Sequence, residues 1–141
     1  MPAMNLYVLF SLISAGFVGA TVGSLLLTSL LYQALLKSTS TLNNQIYIYR
    51  RLYRLNSVLC LLAGVCAALV NNQPAALMLT ILAVSYVFNH AHILKGLQKA
   101  CNEQLEPVNS RAYQSMSSLQ NLMHILQLAG AGYAIYLLAN I

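Results

Sequence analysis

Apolar residues in this chain gather into four long runs separated by short polar stretches. Runs of that length, without a strand's strict alternation, predict helices. The first run extends from about Leu6 to Leu36. At ~1.5 Å per residue it would measure roughly 46 Å, longer than the ~30 Å hydrocarbon core of a bilayer, so it must tilt or protrude. Lys37–Gln45 reads as a polar turn, and a second helix starting near Leu42–Ile46 runs to Val70. Its apolar core, Leu55–Val70, is short for a span. The stretch Ile46–Arg54 upstream mixes Tyr and Arg as a head-group-level segment does, and supplies the missing length. Asn71-Asn72-Gln73-Pro74 is a second turn, with Pro74 suited to the first turn of a helix running from Ala75 to about Leu97. Lys99–Arg111 holds both acids, Glu103 and Glu106, together with Pro107, and reads as a loop before a last helix at about Ala112–Ala139. The expectation is one all-α domain, 1–141: an integral membrane antiparallel four-helix bundle with spans near 6–36, 47–70, 75–97 and 112–139.

Composition places the chain in lipid. It is 59% hydrophobic and 6% charged, whereas soluble domains carry about 25% charged residues. Lys37, Arg50, Arg51 and Arg54 lie between the first two runs; Lys95, Lys99 and Arg111 lie between the last two. Short basic loops stay on the cytoplasmic side, which predicts both termini on the periplasmic face of a bacterial inner membrane. The net charge of +5 then faces anionic lipid head groups. No aromatic-basic surface module points to nucleic acid. The N-terminal run lacks a basic leader and continues too far for a signal peptide, so it is expected to be a span. Tyr7, Tyr133 and Tyr136 are placed at the outer edge, and Tyr32, Tyr47, Tyr49, Tyr53 and Tyr113 at the inner one; Tyr86 falls within a span.

Gly16, Gly19, Ala20 and Gly23 give the first run a small-residue stripe. The expected use is packing inside the bundle, the alternative a seam for a homo-oligomer or another membrane protein. Cys60 and Cys66 are about 240° apart on a helix and do not face a common point. Cys101 falls in the second basic loop as a free thiol.

Polar side chains within the runs carry the candidate chemistry, because hydrocarbon offers them no partners. Ser117, Gln120, His124 and Gln127 share one helical face, with Asn121 beside them. Ser85, Asn89 and His92 share another, His90 points elsewhere, and Asn56 and Ser57 lie on the second helix. The cluster admits three uses. It can fix packing through interhelical hydrogen bonds. It can hold a haem or metal on His124 with His92 or His90, as bundles do; His124 and His92 would then differ in depth by about 6–9 Å at ~1.5 Å per residue. Or it can line a path for a solute or proton through His124. No carboxylate joins these histidines, so hydrolysis and proton-coupled export have no membrane-embedded acid to use.

Two families resemble the chain. The last helix, Tyr113-Gln-Ser-Met-Ser-Ser-Leu-Gln-Asn-Leu, is similar to the closing pattern of the four-span family of unknown function related to human transmembrane protein 205. Ser117, Ser118, Leu119, Asn121 and Leu122 fit; Met116 stands where that family has a His. Asn44–Asn56 resembles that family's amphipathic start of helix two. The resemblance implies fold and topology. The second is the glutathione-handling family of membrane-associated proteins of eicosanoid metabolism, which has basic residues at the inner start of helix two. Its Arg, an Asn four residues on and a Glu three further are not reproduced: Asn56 follows Arg54 by two, and Leu59 replaces the acid. That resemblance implies an anionic peptide held by Arg50, Arg51, Arg54 and Asn56. The expected role is thus a small polytopic protein without an evident catalytic centre, structural or solute-handling, with a haem or metal redox subunit and a glutathione-type transferase as alternatives.

Overall fold

The computed structural model describes residues 2–35, 39–103 and 110–140, and no strand occurs among them. Helix α1 spans Pro2–Leu35, α2 Thr39–Leu69, α3 Gln73–Phe88, α4 Leu94–Glu103 and α5 Arg111–Ala139. A π-helical turn, Asn89–Ile93, joins α3 to α4 without a break. Four segments are long and apolar enough to cross a membrane: Leu6–Leu27, Asn44–Leu69, Gln73–Glu103 and Arg111–Ala139. Lys37, Glu106 and Pro107 lie outside the described residues, as does the end of the first run at Leu36.

Two polar stretches expected to be loops are partly helical. Thr39–Gln45 forms the start of α2 rather than a turn. A helix's first amides lack intrahelical acceptors, so Ser, Thr and Asn are at home there. Lys99–Glu103 completes α4, because Leu97, Ala100 and Cys101 keep a buried stripe going. Cys101 is therefore a buried helical residue rather than a loop thiol, and all three cysteines are free.

The core follows a spacing of alternating three and four. On α2 the buried positions include Ile46, Tyr49, Tyr53, Asn56, Cys60, Ala63 and Ala67, and Val70 continues the series just past its end. On α5 they include Gln120, His124, Gln127, Ala131, Ala134 and Leu138, and on α1 Ser14, Val18, Thr21 and Leu25. This mean period of 3.5 is the one that keeps a narrow seam facing neighbouring helices. Most of the remaining surface is apolar and exposed: Leu12 is 65% exposed, Leu27 69%, Val84 63% and Ile125 64%.

Contacts between helices run in opposite sequence order. Ser14 bonds to the Ala63 carbonyl and Ser24 to Asn56. Ser57 meets the Ala83 carbonyl, Arg54 meets His90 and Arg50 meets Gln98. At the α2–α3 turn, Asn71 adopts a φ of 58°, which Asn tolerates better than most residues. The Asn72 side chain caps α3 by accepting from the Ala75 amide, and its amide donates to the Leu137 carbonyl of α5.

The small stripe of α1 does not serve this packing. A Cβ added at Gly16, Gly19 or Gly23 would meet nothing within 4 Å. The close approaches occur instead at Gly96, against Met116, and at Gly130, against Met78 and Leu82.

Candidate functional site: a polar layer around Tyr53

Tyr53 is fully buried, although its neighbours Arg54 and Leu55 are exposed. Its hydroxyl lies 2.6 Å from Nε2 of His124 and accepts a 2.8 Å hydrogen bond from Nε2 of Gln120. A phenol has one proton and two lone pairs. Accepting from Gln120 while donating to His124 uses both capacities and fits a neutral imidazole protonated at Nδ1. Aromatic rings enclose the pair: Tyr49 stacks on Tyr53 at 5.4 Å between centroids and lies 5.5 Å from the His124 ring, and Tyr86 is 6.2 Å from Tyr53. Offset contacts at such distances are favourable for aromatic pairs.

One turn along α5, Gln127 forms a second polar layer. Its amide donates to Oγ of Ser85 at 3.0 Å, and its carbonyl oxygen accepts from Asn89 at 3.2 Å. Asn56 accepts from Ser24 of α1. In this layer, Nδ2 of Asn56 and Oδ1 of Asn89 are buried without a hydrogen-bond partner among the described residues. Each such atom costs about 1–3 kcal/mol. The layer therefore ties α1, α2, α3 and α5 together with neutral hydrogen bonds.

The predicted polar residues do not all meet. Asn56, Asn89, Gln120, His124 and Gln127 are buried, and Ser85 is half-buried in the same layer. Asn121 is exposed among Leu122 and Ile125, so it does not belong to the layer. His92 is exposed and packs against Phe88, with ring centroids 4.9 Å apart. The π-helical turn moves it: the seam passes from Asn89 to Ile93 and Leu94, leaving His92 off the face it would share with Ser85 and Asn89 in a regular helix. His90 accepts a 3.1 Å hydrogen bond from Nε of Arg54. The three imidazoles thus occupy three different surroundings. Ligation of haem through Nε2 of His124 would require that atom to leave Tyr53. Among the described residues, no three His, Cys, Asp or Glu side chains are grouped to hold a metal ion.

Tyr53 and Tyr49, expected at the inner edge, are site residues that sequence reasoning did not group with the polar cluster. Tyr113 is buried as well, near the start of α5. The signal was the spacing 46, 49, 53, 56, 60, which puts both tyrosines on the seam.

The basic residues of α2 flank its buried seam, with Arg50 half-buried and Arg51 and Arg54 exposed. Nη2 of Arg50 donates to Gln98 at 2.6 Å, and the Arg51 guanidinium sits 4.8 Å over the Tyr47 ring. Lys95 and Lys99 are exposed on α4. Arg54 and His90, with Tyr53, Ser57, Val58 and Val87, border a cleft of about 370 Å³; Arg50, Tyr47, Gln98 and Asn102 border another of about 310 Å³.

Comparison with known protein families, with curated proteins and with solved structures gives no match for this chain.

Proposed function

We propose that the chain is a non-catalytic, multi-pass membrane protein: an antiparallel four-helix bundle of the bacterial inner membrane. Both termini lie on the periplasmic side and the basic segments in the cytoplasm. Its role is structural or interactive, as a free-standing bundle or a packing subunit of a larger complex. The observation that carries this reading is the division of polar groups. Hydrogen-bonding side chains are turned inward onto Tyr53, while Leu, Val and Ile cover the outside. Hydrocarbon around the helices makes that division favourable, since lipid solvates the apolar face and offers nothing to Gln120 or His124. The reversed order of paired positions between neighbouring helices supports the antiparallel arrangement. The confinement of cations to two segments supports the orientation. Four spans also agree with the likeness to the family related to transmembrane protein 205.

The polar layer acts here as interhelical glue, each bond contributing about 0.6 kcal/mol on average. The test is fractionation with a topology reporter. The protein should stay with membranes through alkaline carbonate, and alkaline phosphatase fused after Ile141 should be active in the periplasm. Release into the soluble fraction overturns the membrane reading; an inactive phosphatase fusion overturns the orientation.

A further inference from the structure

Clefts between α2 and the α3–α4 segment lie one after another along the same pair of helices. The first, at the basic end, is polar and bordered by Arg50, Gln98 and Asn102. The second is bordered by Arg54 and His90 at one side and by Val58 and Val87 at the other. A third continues along Leu61, Val65 and Leu77. The furrow therefore changes from cationic to apolar along its length, as an amphiphile does.

Among the described residues, its two arginines bond to neutral partners. Arg50 bonds to the neutral Gln98 and Arg54 to an imidazole. The whole chain has two acids, Glu103 and Glu106. Neutral partners hold the guanidiniums in place without offsetting their charge. Arg54 uses only Nε in this bond, and the forked end of a guanidinium suits a phosphate. Val58 and Val87 are 53% and 55% exposed directly beyond it. From Arg54 to Val65 the helix rises roughly 16 Å at ~1.5 Å per residue, close to half of the ~30 Å hydrocarbon core. That is the depth of a single leaflet.

We propose that this furrow binds one anionic phospholipid, its phosphate on Arg50 and Arg54 and an acyl chain along Val58 and Val87. The site rests on the membrane reading above, but it adds a fixed stoichiometry and a preferred head group. A small anionic peptide would use the basic end alone and leave the apolar continuation empty.

Protein extracted from membranes in non-ionic detergent, mixed with phosphatidylglycerol or phosphatidylcholine and weighed by native mass spectrometry, tests the site. One phosphatidylglycerol should bind about tenfold more tightly than phosphatidylcholine, given the attraction of cations for anionic head groups. Arg50→Gln/Arg54→Gln should abolish the preference, and Arg50→Lys/Arg54→Lys should retain most of it. Val58→Trp/Val87→Trp should weaken both lipids. Arg51→Gln/Arg111→Gln, with the same change in net charge, should leave the preference intact. Excess inorganic phosphate should not displace the lipid. Equal binding of the two lipids, equal loss in the Arg51/Arg111 control, or displacement by inorganic phosphate overturns the site while the membrane reading stands. Wild-type protein recovered outside the membrane fraction overturns both.

Discussion

The hydroxyl of Tyr53 and Nε2 of His124, 71 positions apart in sequence, meet at 2.6 Å in the interior. Together with the Gln120 bond to the same hydroxyl, the pair sets the register of α2 against α5. Tyr53→Phe removes the hydroxyl and leaves both His124 and Gln120 without it. The expected loss is about 1–2 kcal/mol, above the ~0.6 kcal/mol mean for one interhelical bond because two buried groups lose a partner. His124→Leu should leave the protein folded. In Tyr53→Phe/His124→Leu the cost should be less than the sum of the two single costs, since the imidazole is no longer stranded. Unfolding by SDS from mixed micelles measures all three; strict additivity would show that the two side chains act independently.

Sequence patterning located the four apolar segments because each is long and its turns carry the usual markers, such as Asn72 before Pro74. It did not group Tyr53 with the polar cluster, for a physical reason. A tyrosine beside an arginine suits the head-group level, yet the same ring suits a buried seam when a partner for its hydroxyl exists. That partner is on a helix far along the chain, so only the fold discloses it. The π-helical turn at Asn89–Ile93 has a similar origin. No residue type in Asn-His-Ala-His-Ile demands it, and one widened turn removes His92 from the face of Asn89. The glycines of α1 also follow a motif whose spacing says nothing about which side of the helix meets its neighbours.

Adjacent residues on α5 should behave oppositely. Gln120 is buried and donates to Tyr53, whereas Asn121 is exposed beside Leu122. Gln120→Leu should destabilise by about 1 kcal/mol by leaving the phenol one bond short. Asn121→Leu should be neutral or stabilising, because it removes an amide from an apolar surface. Thermal unfolding in detergent distinguishes them, and equal effects at the two positions would contradict the helix orientation.

Asn72 performs two tasks that substitution can separate. Its carbonyl oxygen caps α3 at Ala75, and its amide holds the end of α5 through Leu137. Asn72→Ser should keep the cap and lose the tie to α5; Asn72→Ala should lose both. The alanine variant should be the less stable by about 1 kcal/mol, the usual value of an N-cap. Hydrogen exchange adds a local readout. Both variants should speed exchange in the last turn of α5, and only Asn72→Ala should speed it in the first turn of α3.

The glycines offer the sharpest contrast in packing. A Cβ at Gly130 would stand 2.7 Å from Cε of Met78 and 3.0 Å from Cδ2 of Leu82. The flexible methionine can withdraw from an alanine, but not from a branched side chain that also presses on Leu82. Gly130→Val should therefore cost about 1–3 kcal/mol by overpacking. Gly19→Val and Gly23→Val project into open space, so their cost to the monomer's stability should stay within about 0.5 kcal/mol. SDS unfolding curves for the three variants give the comparison. A loss at Gly19 as large as that at Gly130 would mean that α1 packs through its glycine face after all, since a side chain meeting no neighbour has nothing to displace.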